Sequence, residues 1–424
     1  MHHFTYRSGA LHAEDVSLAH IAETVGTPVY VYSAATIVRH YKAFAGAFSQ
    51  HRAHVFYAMK ANSNLAVLKL LGDLGAGADT VSEGEIRKAL AAGIPASRIV
   101  FSGVGKTDAE LAFAVAAGIY QINIETEGEL HALSRVASRL GKRAKAVFRI
   151  NPDVGAGGHA KITTGSEDNK FGISLREADR LYDVAGNLPG VSMVGLAVHI
   201  GSQIRDVGEF APAFQRMRAL AEALMARGHT VERLDLGGGL GIPYEMEEAE
   251  SHGPDLIHAY ADLVERTFAG LDVELGFEPG RLIVGNAGLL LTRVVQLNPR
   301  ANKTFVVVDA GMNDLVRPAM YEAFHDILPV AEPAEGAPCR VYDVVGPICE
   351  TGDTFATDRK LVETRPGDLI AFMTAGAYGA SMSSTYNSRP LVAEVLVRGG
   401  EFAVIRPRQT YEDLVGLDRL PSWL

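Results

Sequence analysis

Between Ser33 and Gly280 the chain alternates eight times between short apolar runs of β character and longer stretches of helical period. The strand candidates are 54–60 (HVFYAMK), 77–82, 98–104, 120–125, 145–150, 193–200, 232–239 and 274–280. Between them lie Ala-, Leu- and Glu-rich segments such as 83–93, 107–118 and 209–228, each closed by a glycine that serves as a helix stop. Eight strands, each followed by a helix or crossover, predict a (β/α)8 barrel rather than a doubly wound sheet.

Beyond about Asn286 the texture changes to short strands punctuated by Gly and Pro, with little helix before the tail, which predicts an all-β domain. The run PVYVYS (28–33) is also β-like and can join that domain, giving an N-terminal segment 1–33, a barrel 34–285 and a β domain 286–424. A length of 424 residues is consistent with such a division. The polar, Gly-rich segment 151–172 after strand five is expected to be a lid. Acidic residues exceed basic ones by 50 − 40 = 10, which disfavours nucleic acid or an anionic membrane as partner. Two cysteines cannot form a disulfide framework, and the opening MHHFTYRSGALH lacks signal-peptide order, so a cytoplasmic location is expected.

Barrel enzymes build their sites at the C-terminal ends of the strands, so the residues there carry the functional reading. Lys60 closes strand one, Asp79 and Ser82 belong to strand two, Arg149 to strand five, and His199 to strand six with Gly-Ser-Gln after it. Strand seven ends in Gly237-Gly238-Gly239 and strand eight in Glu278-Pro279-Gly280-Arg281. A glycine triplet alone is a flexible turn, but after strand seven it lies where barrels hold phosphate on backbone N–H groups. A lysine at an inward strand end, partly desolvated, becomes a nucleophile able to form a Schiff base with an aldehyde. Phosphate and aldehyde together point to pyridoxal 5′-phosphate, whose ring nitrogen needs an acid, and Glu278 is the candidate. Taken singly, Glu278 would be a salt-bridge partner of Arg281 and His199 a satisfied core histidine; within the set, His199 is better read as a residue stacked on a planar cofactor.

The chain resembles the alanine-racemase-type, fold type III pyridoxal phosphate enzymes, and among them the diaminopimelate decarboxylase family. The motifs that carry the resemblance span almost the entire chain: YAMKAN (57–62), ADTVSEGE (78–85), RINPDV (149–154), NKFGI (169–173), HIGSQ (199–203), LDLGGGLGIPY (234–244), EPGR (278–281), DAGMNDLVRPAMY (309–321), VGPICETGD (345–353) and AYGASMSSTYNSRP (377–390). The resemblance implies a barrel paired with a β domain in a head-to-tail homodimer with shared active sites. It implies that Lys60 holds the cofactor, with Asp79, His199, Ser202, Gly238, Gly239, Glu278, Pro279, Gly280, Arg281 and Tyr378 around it. It implies that Arg281, Arg317, Tyr321, Glu350 and Tyr378 bind substrate, and that the partner subunit's Cys349 donates a proton. The family commonly has Ser where this chain has Thr351, and the hydroxyl is kept.

Charge orders the candidate substrates. Decarboxylases of ornithine, lysine or arginine hold a side-chain cation and cannot bury an unpaired arginine beside it. Meso-2,6-diaminopimelate has a distal carboxylate for Arg281, Arg317 and Tyr321 and a distal ammonium for Glu350. The expected reaction is loss of the D-centre carboxylate to give L-lysine and CO2, the last step of lysine biosynthesis. The alternatives are a relative acting on a glutamyl-carrier protein or carboxynorspermidine, and a non-catalytic cofactor carrier. Cys339, within a strand-like run, reads as structural, whereas Cys349 beside Glu350 in a polar loop reads as chemical.

Overall fold

The computed structural model describes residues 2–154 and 170–424. The chain forms two compact units: residues 40–242 with 252–282, and residues 1–39 with 243–251 and 283–424.

The first unit is the barrel. Its strands are β1 (Ala53–Ala58), β2 (Gly77–Thr80), β3 (Ile99–Phe101), β4 (Gln121–Ile124), β5 (Ala144–Asn151), β6 (Val191–Val198), β7 (Arg233–Asp235) and β8 (Glu274–Phe277). Each pairs in parallel with the next, and β8 pairs in parallel with β1, so the sheet closes. Helices begin where short polar side chains cap the first turn. Ser82, Thr107 and Thr126 accept from the backbone N–H of Glu85, Glu110 and Glu129, and Thr107 and Glu110 complete a capping box. The expected helices at 83–93, 107–118 and 209–228 are Glu83–Ala91, Asp108–Ala117 and Ala211–Ala226.

Several strands stop earlier than their apolar runs suggest, and this defines the rim of the site. Strand β7 ends at Asp235 because Gly237 and Gly239 take left-handed backbone (φ 68° and 111°). Strand β8 ends at Phe277, and β1 gives way at Met59 to a single 3-10 turn containing Lys60. The chemistry-bearing residues therefore sit just beyond the strands. Ser82 is a helix cap rather than a strand residue. Of the expected lid at 151–172, positions 155–169 lie outside the described residues, as does Asn169 of the NKFGI motif.

The second unit is mostly sheet. The N-terminal strand Val29–Ser33, fully buried, lies between Gly288–Pro299, which it pairs antiparallel, and Ala393–Arg398, which it pairs in parallel. Thr304–Val308, Cys339–Val345 and Thr354–Val362 continue the sheet on one side and Glu401–Arg406 on the other. The expected incorporation of the N-terminal strand into the β domain holds. The twelve-residue strand Gly288–Pro299 and a three-stranded meander, Phe4–Arg7, Ala10–Ala13 and Val16–Ser17, were not expected. Its core packs Leu11, Leu18 and Ile21 with Val29, Val31, Leu289, Leu291 and Val395. Cys339 begins a strand, but its thiol is exposed rather than packed. No described helix is long and apolar enough to cross a membrane.

Candidate active site

In the barrel unit, Lys60 reaches its position because the 3-10 turn Met59–Ala61 lifts its side chain off the end of β1. Its side chain is 41% exposed, and its Nζ lies 3.8 Å from Oδ2 of Asp79, which is almost wholly buried at the end of β2. The other carboxylate oxygen of Asp79, Oδ1, is buried without a hydrogen-bond partner. Burial pushes the Asp79 carboxyl up, and Lys60, the Ser102 hydroxyl and Arg149 pull it back down.

The glycine turn after β7 is packed against its neighbours. A Cβ at Gly238 would stand 2.2 Å from the Glu278 carbonyl oxygen, and one at Gly239 2.4 Å from that of Gly201. No side chain fits there, so the backbones after β6, β7 and β8 approach one another closely. Pro279 accepts from the Ala58 N–H at 3.1 Å, and the space left by Gly280 admits Ala58 and Ala61, seating the Glu278–Arg281 turn against the turn of Lys60. Arg281 donates to the Ser202 hydroxyl at 3.1 Å.

His199, after β6, accepts from the Gly238 N–H through Nδ1 at 3.3 Å. Burial and the Lys60 and Arg149 cations hold its pKa well below the ordinary value, so the ring is neutral with its proton on Nε2. Arg149 is itself buried, paired with Glu125 at 3.0 Å. Glu278 is pushed well above the ordinary carboxylate range by burial and by Asp235 and Asp79, against the pull of Lys60 and Arg149. The barrel end thus gathers a half-exposed amine, an acid that holds its proton, a neutral imidazole and a glycine-lined turn beside a serine and an arginine. The unpartnered oxygen of Asp79 and the chemistry of this donor set are compatible with pyridoxal phosphate.

In the β unit, Arg317 opens the short helix Arg317–Tyr321, whose half-buried last residue is Tyr321. Arg317 is buried; its Nη1 donates to His325 Nε2 at 2.8 Å, and its guanidinium lies 4.6 Å from the centre of the Tyr244 ring. Cys349 and Glu350 are exposed in a loop anchored by buried Asp353, which accepts from the N–H groups of Ile348 and Met312, each at 2.6 Å. Asn387 accepts from the Cys349 N–H at 3.0 Å, and the Tyr386 hydroxyl donates to Glu350 at 2.9 Å. Tyr378 is half-buried in a turn with left-handed backbone.

The model of the pyridoxal-dependent decarboxylase family, pyridoxal binding domain, matches residues 34–285. A diaminopimelate decarboxylase of Zymomonas mobilis is 45% identical over 424 residues, 99% of each chain, and one of Pseudomonas aeruginosa is 47% identical over 420 residues, again 99% of each. The chain belongs to the diaminopimelate decarboxylase family. A crystal structure of a diaminopimelate decarboxylase from Helicobacter pylori complexed with L-lysine is similar at a TM-score of 0.89 and 41% identity, covering 94% of this chain and 98% of that one.

Within this member of the diaminopimelate decarboxylase family, several residues of the constellation escaped the sequence reading. Ser102, Gln121, Asn123, Glu125 and Asp235 are all buried polar groups of the barrel. A signal for three of them exists, since Gln121 and Asn123 share one face of β4 and Glu125 continues their two-residue period just beyond it, unusual inside a hydrophobic barrel. His325, Tyr386 and Asn387 were missed because each acts through a contact distant in sequence.

Proposed function

We propose that this protein decarboxylates meso-2,6-diaminopimelate at its D-centre with pyridoxal 5′-phosphate, releasing L-lysine and CO2. Membership of the diaminopimelate decarboxylase family over the full chain carries this reading, and the Lys60–Asp79–Glu278 constellation at the barrel end supports it. Bound pyridoxal phosphate supplies the electron sink for the pair left at Cα when CO2 departs. Lys60 would anchor the cofactor through its Nζ, and Asp79, 3.8 Å away, would tune the charge on that amine. Glu278 holds a proton toward the ring nitrogen and neutral His199 faces the ring. Gly238, Gly239, Ser202 and Arg281, with Pro279 and Gly280 shaping their turn and Tyr378 from the β domain, hold the cofactor and its phosphate.

Arg281, Arg317 and Tyr321 grip the distal carboxylate, and Glu350 the distal ammonium, each a charge-assisted contact. Cys349 delivers the proton that replaces the lost carboxylate at Cα. We place Cys349 and Glu350 in the site of a second copy, in a homodimer working in the cytoplasm, with functional limits of 34–285 for the barrel. The test is spectroscopic: the purified protein with pyridoxal phosphate shows a visible absorbance band beyond that of free cofactor, and Lys60→Ala lacks both band and turnover. A Lys60→Ala protein that keeps the band overturns the anchoring role.

A further inference from the structure

Behind Glu278 the barrel buries a second acid. Asp235 is the last residue of β7, and its register partner in β8 is Gly276. A Cβ at Gly276 would stand 3.2 Å from Asp235 Cγ and 3.3 Å from its Cα, so the carboxyl packs closely over this glycine. Asp235 Oδ1 accepts from the Gly237 N–H at 3.0 Å and Oδ2 from Gln121 Nε2 at 3.2 Å. The Gln121 amide also donates to Asn123 Oδ1 at 2.9 Å, Asn123 Nδ2 donates to Ser102 Oγ at 2.9 Å, and the Ser102 hydroxyl reaches Glu278 Oε1 at 3.5 Å. A second link runs through the backbone, where the Glu278 N–H donates to the Gly237 carbonyl at 2.8 Å. Asp235 and Glu278 are therefore tied to one another through the Gly237 turn on one side and a Gln-Asn-Ser chain on the other.

We propose that Asp235 is a positioning residue for Glu278: it fixes the Glu278 carboxyl and keeps a second negative charge behind it, so that a proton shared with the ring nitrogen of bound pyridoxal phosphate stays on the nitrogen. This rests on the assignment of Glu278 to that nitrogen. Both oxygens of Asp235 receive N–H donors that cannot ionise, which favours its charged form, whereas burial opposes it and lifts its pKa to about 6. The other charged or titratable groups that face the pair are Asp79 from β2, Lys60 after β1 and Arg149 on β5, with the phenols of Tyr120 and Tyr260 on the Asp235 side. Above pH 6 the anionic Asp235 disfavours a neighbouring free carboxylate unless a cation lies against it, and a protonated ring nitrogen is that cation.

The test compares holoenzyme carrying Asp235→Asn, Gln121→Met or Glu278→Gln with the parent, reading the pH titration of the visible absorbance of bound pyridoxal phosphate together with kcat and KM. Removing one neighbouring negative charge lowers the titration midpoint by on the order of one pH unit in Asp235→Asn. Gln121→Met, which takes a donor from Asp235 and so weakens its charge, shifts it by less in the same direction. In Asp235→Asn kcat falls about tenfold or more while KM stays close to the parent's, a split that simple loosening of the barrel does not give. If Glu278→Gln moves midpoint and kcat but Asp235→Asn moves neither, the role of Asp235 is overturned and that of Glu278 stands. If Glu278→Gln is itself silent, the assignment beneath the proposal fails. Should Asp235→Asn not fold, Gln121→Met decides, and an unchanged midpoint there overturns the proposal.

Discussion

Replacing His325 by Leu isolates one contact on which the account of substrate binding depends. His325 is 1% exposed and Arg317 6%, so water cannot stand in for either. His325 Nε2 accepts from Arg317 at 2.8 Å while Nδ1 donates to the Met373 carbonyl at 2.8 Å, which fixes the ring as the neutral tautomer protonated at Nδ1. A hydrogen bond to a charged group is worth about 1.5–3 kcal/mol, so loss of the acceptor that orients Arg317 raises KM for diaminopimelate about 10- to 100-fold, at about 1.4 kcal/mol per decade. The Met373 carbonyl also loses its donor, at a further cost of about 1–3 kcal/mol in folding stability. His325→Gln, which retains both a donor and an acceptor, is expected to recover part of each loss. Steady-state kcat and KM, with thermal unfolding on the same preparations, check the prediction. A folded His325→Leu protein with the parent's KM would refute the idea that His325 orients a substrate-binding arginine.

Further outcomes follow from the structure and the proposed function. In the cofactor-free protein Asp235 has a raised pKa, so the folded chain holds its proton more tightly than the unfolded one; this contribution is complete below pH 3.8 and is lost as pH rises through about 6. The loss is on the order of 3 kcal/mol, and urea unfolding between pH 4 and 7.5 should show a shallower decline in Asp235→Asn; equal slopes would count against it. Gly238→Ala places a methyl against the Glu278 carbonyl, 2.2 Å from its oxygen, and should weaken pyridoxal phosphate binding about tenfold by shifting the end of β8, as equilibrium titration of the cofactor can read. Cys349→Ala should lower kcat by about 100-fold or more while leaving the cofactor band intact, and activity of the parent should fall on dilution; an active monomer contradicts the shared site.

The barrel was legible because its signal is local and repeated: eight apolar runs, caps such as Thr107 and stops such as Gly118 each speak for themselves. The placement of Lys60 and Glu278 at the barrel end was legible for the same reason, since the end of a barrel strand is a position that sequence can locate. The strand limits were less so, because left-handed backbone at Gly237 and Gly239 cuts an apolar run short. The meander at Phe4–Ser17 consists of strands of two to four residues, too short for a period to declare itself. Asp235 looked like an ordinary residue before a glycine triplet, since its importance comes from Gly276 on the next strand and from Gln121 across the barrel. The Cys349 loop is similar: its anchor, Asp353, was visible within a motif, but its two short hydrogen bonds arise only in the folded chain.

The most direct measurement is CO2 release by the purified holoenzyme from meso-diaminopimelate, L-lysine, L-ornithine and carboxynorspermidine, each assayed at equal concentration with the Lys60→Ala protein as blank. Meso-diaminopimelate is expected to be turned over far faster than the other three, with L-lysine as its product. Preference for any of the other three, or release of CO2 undiminished in the Lys60→Ala protein, would contradict it.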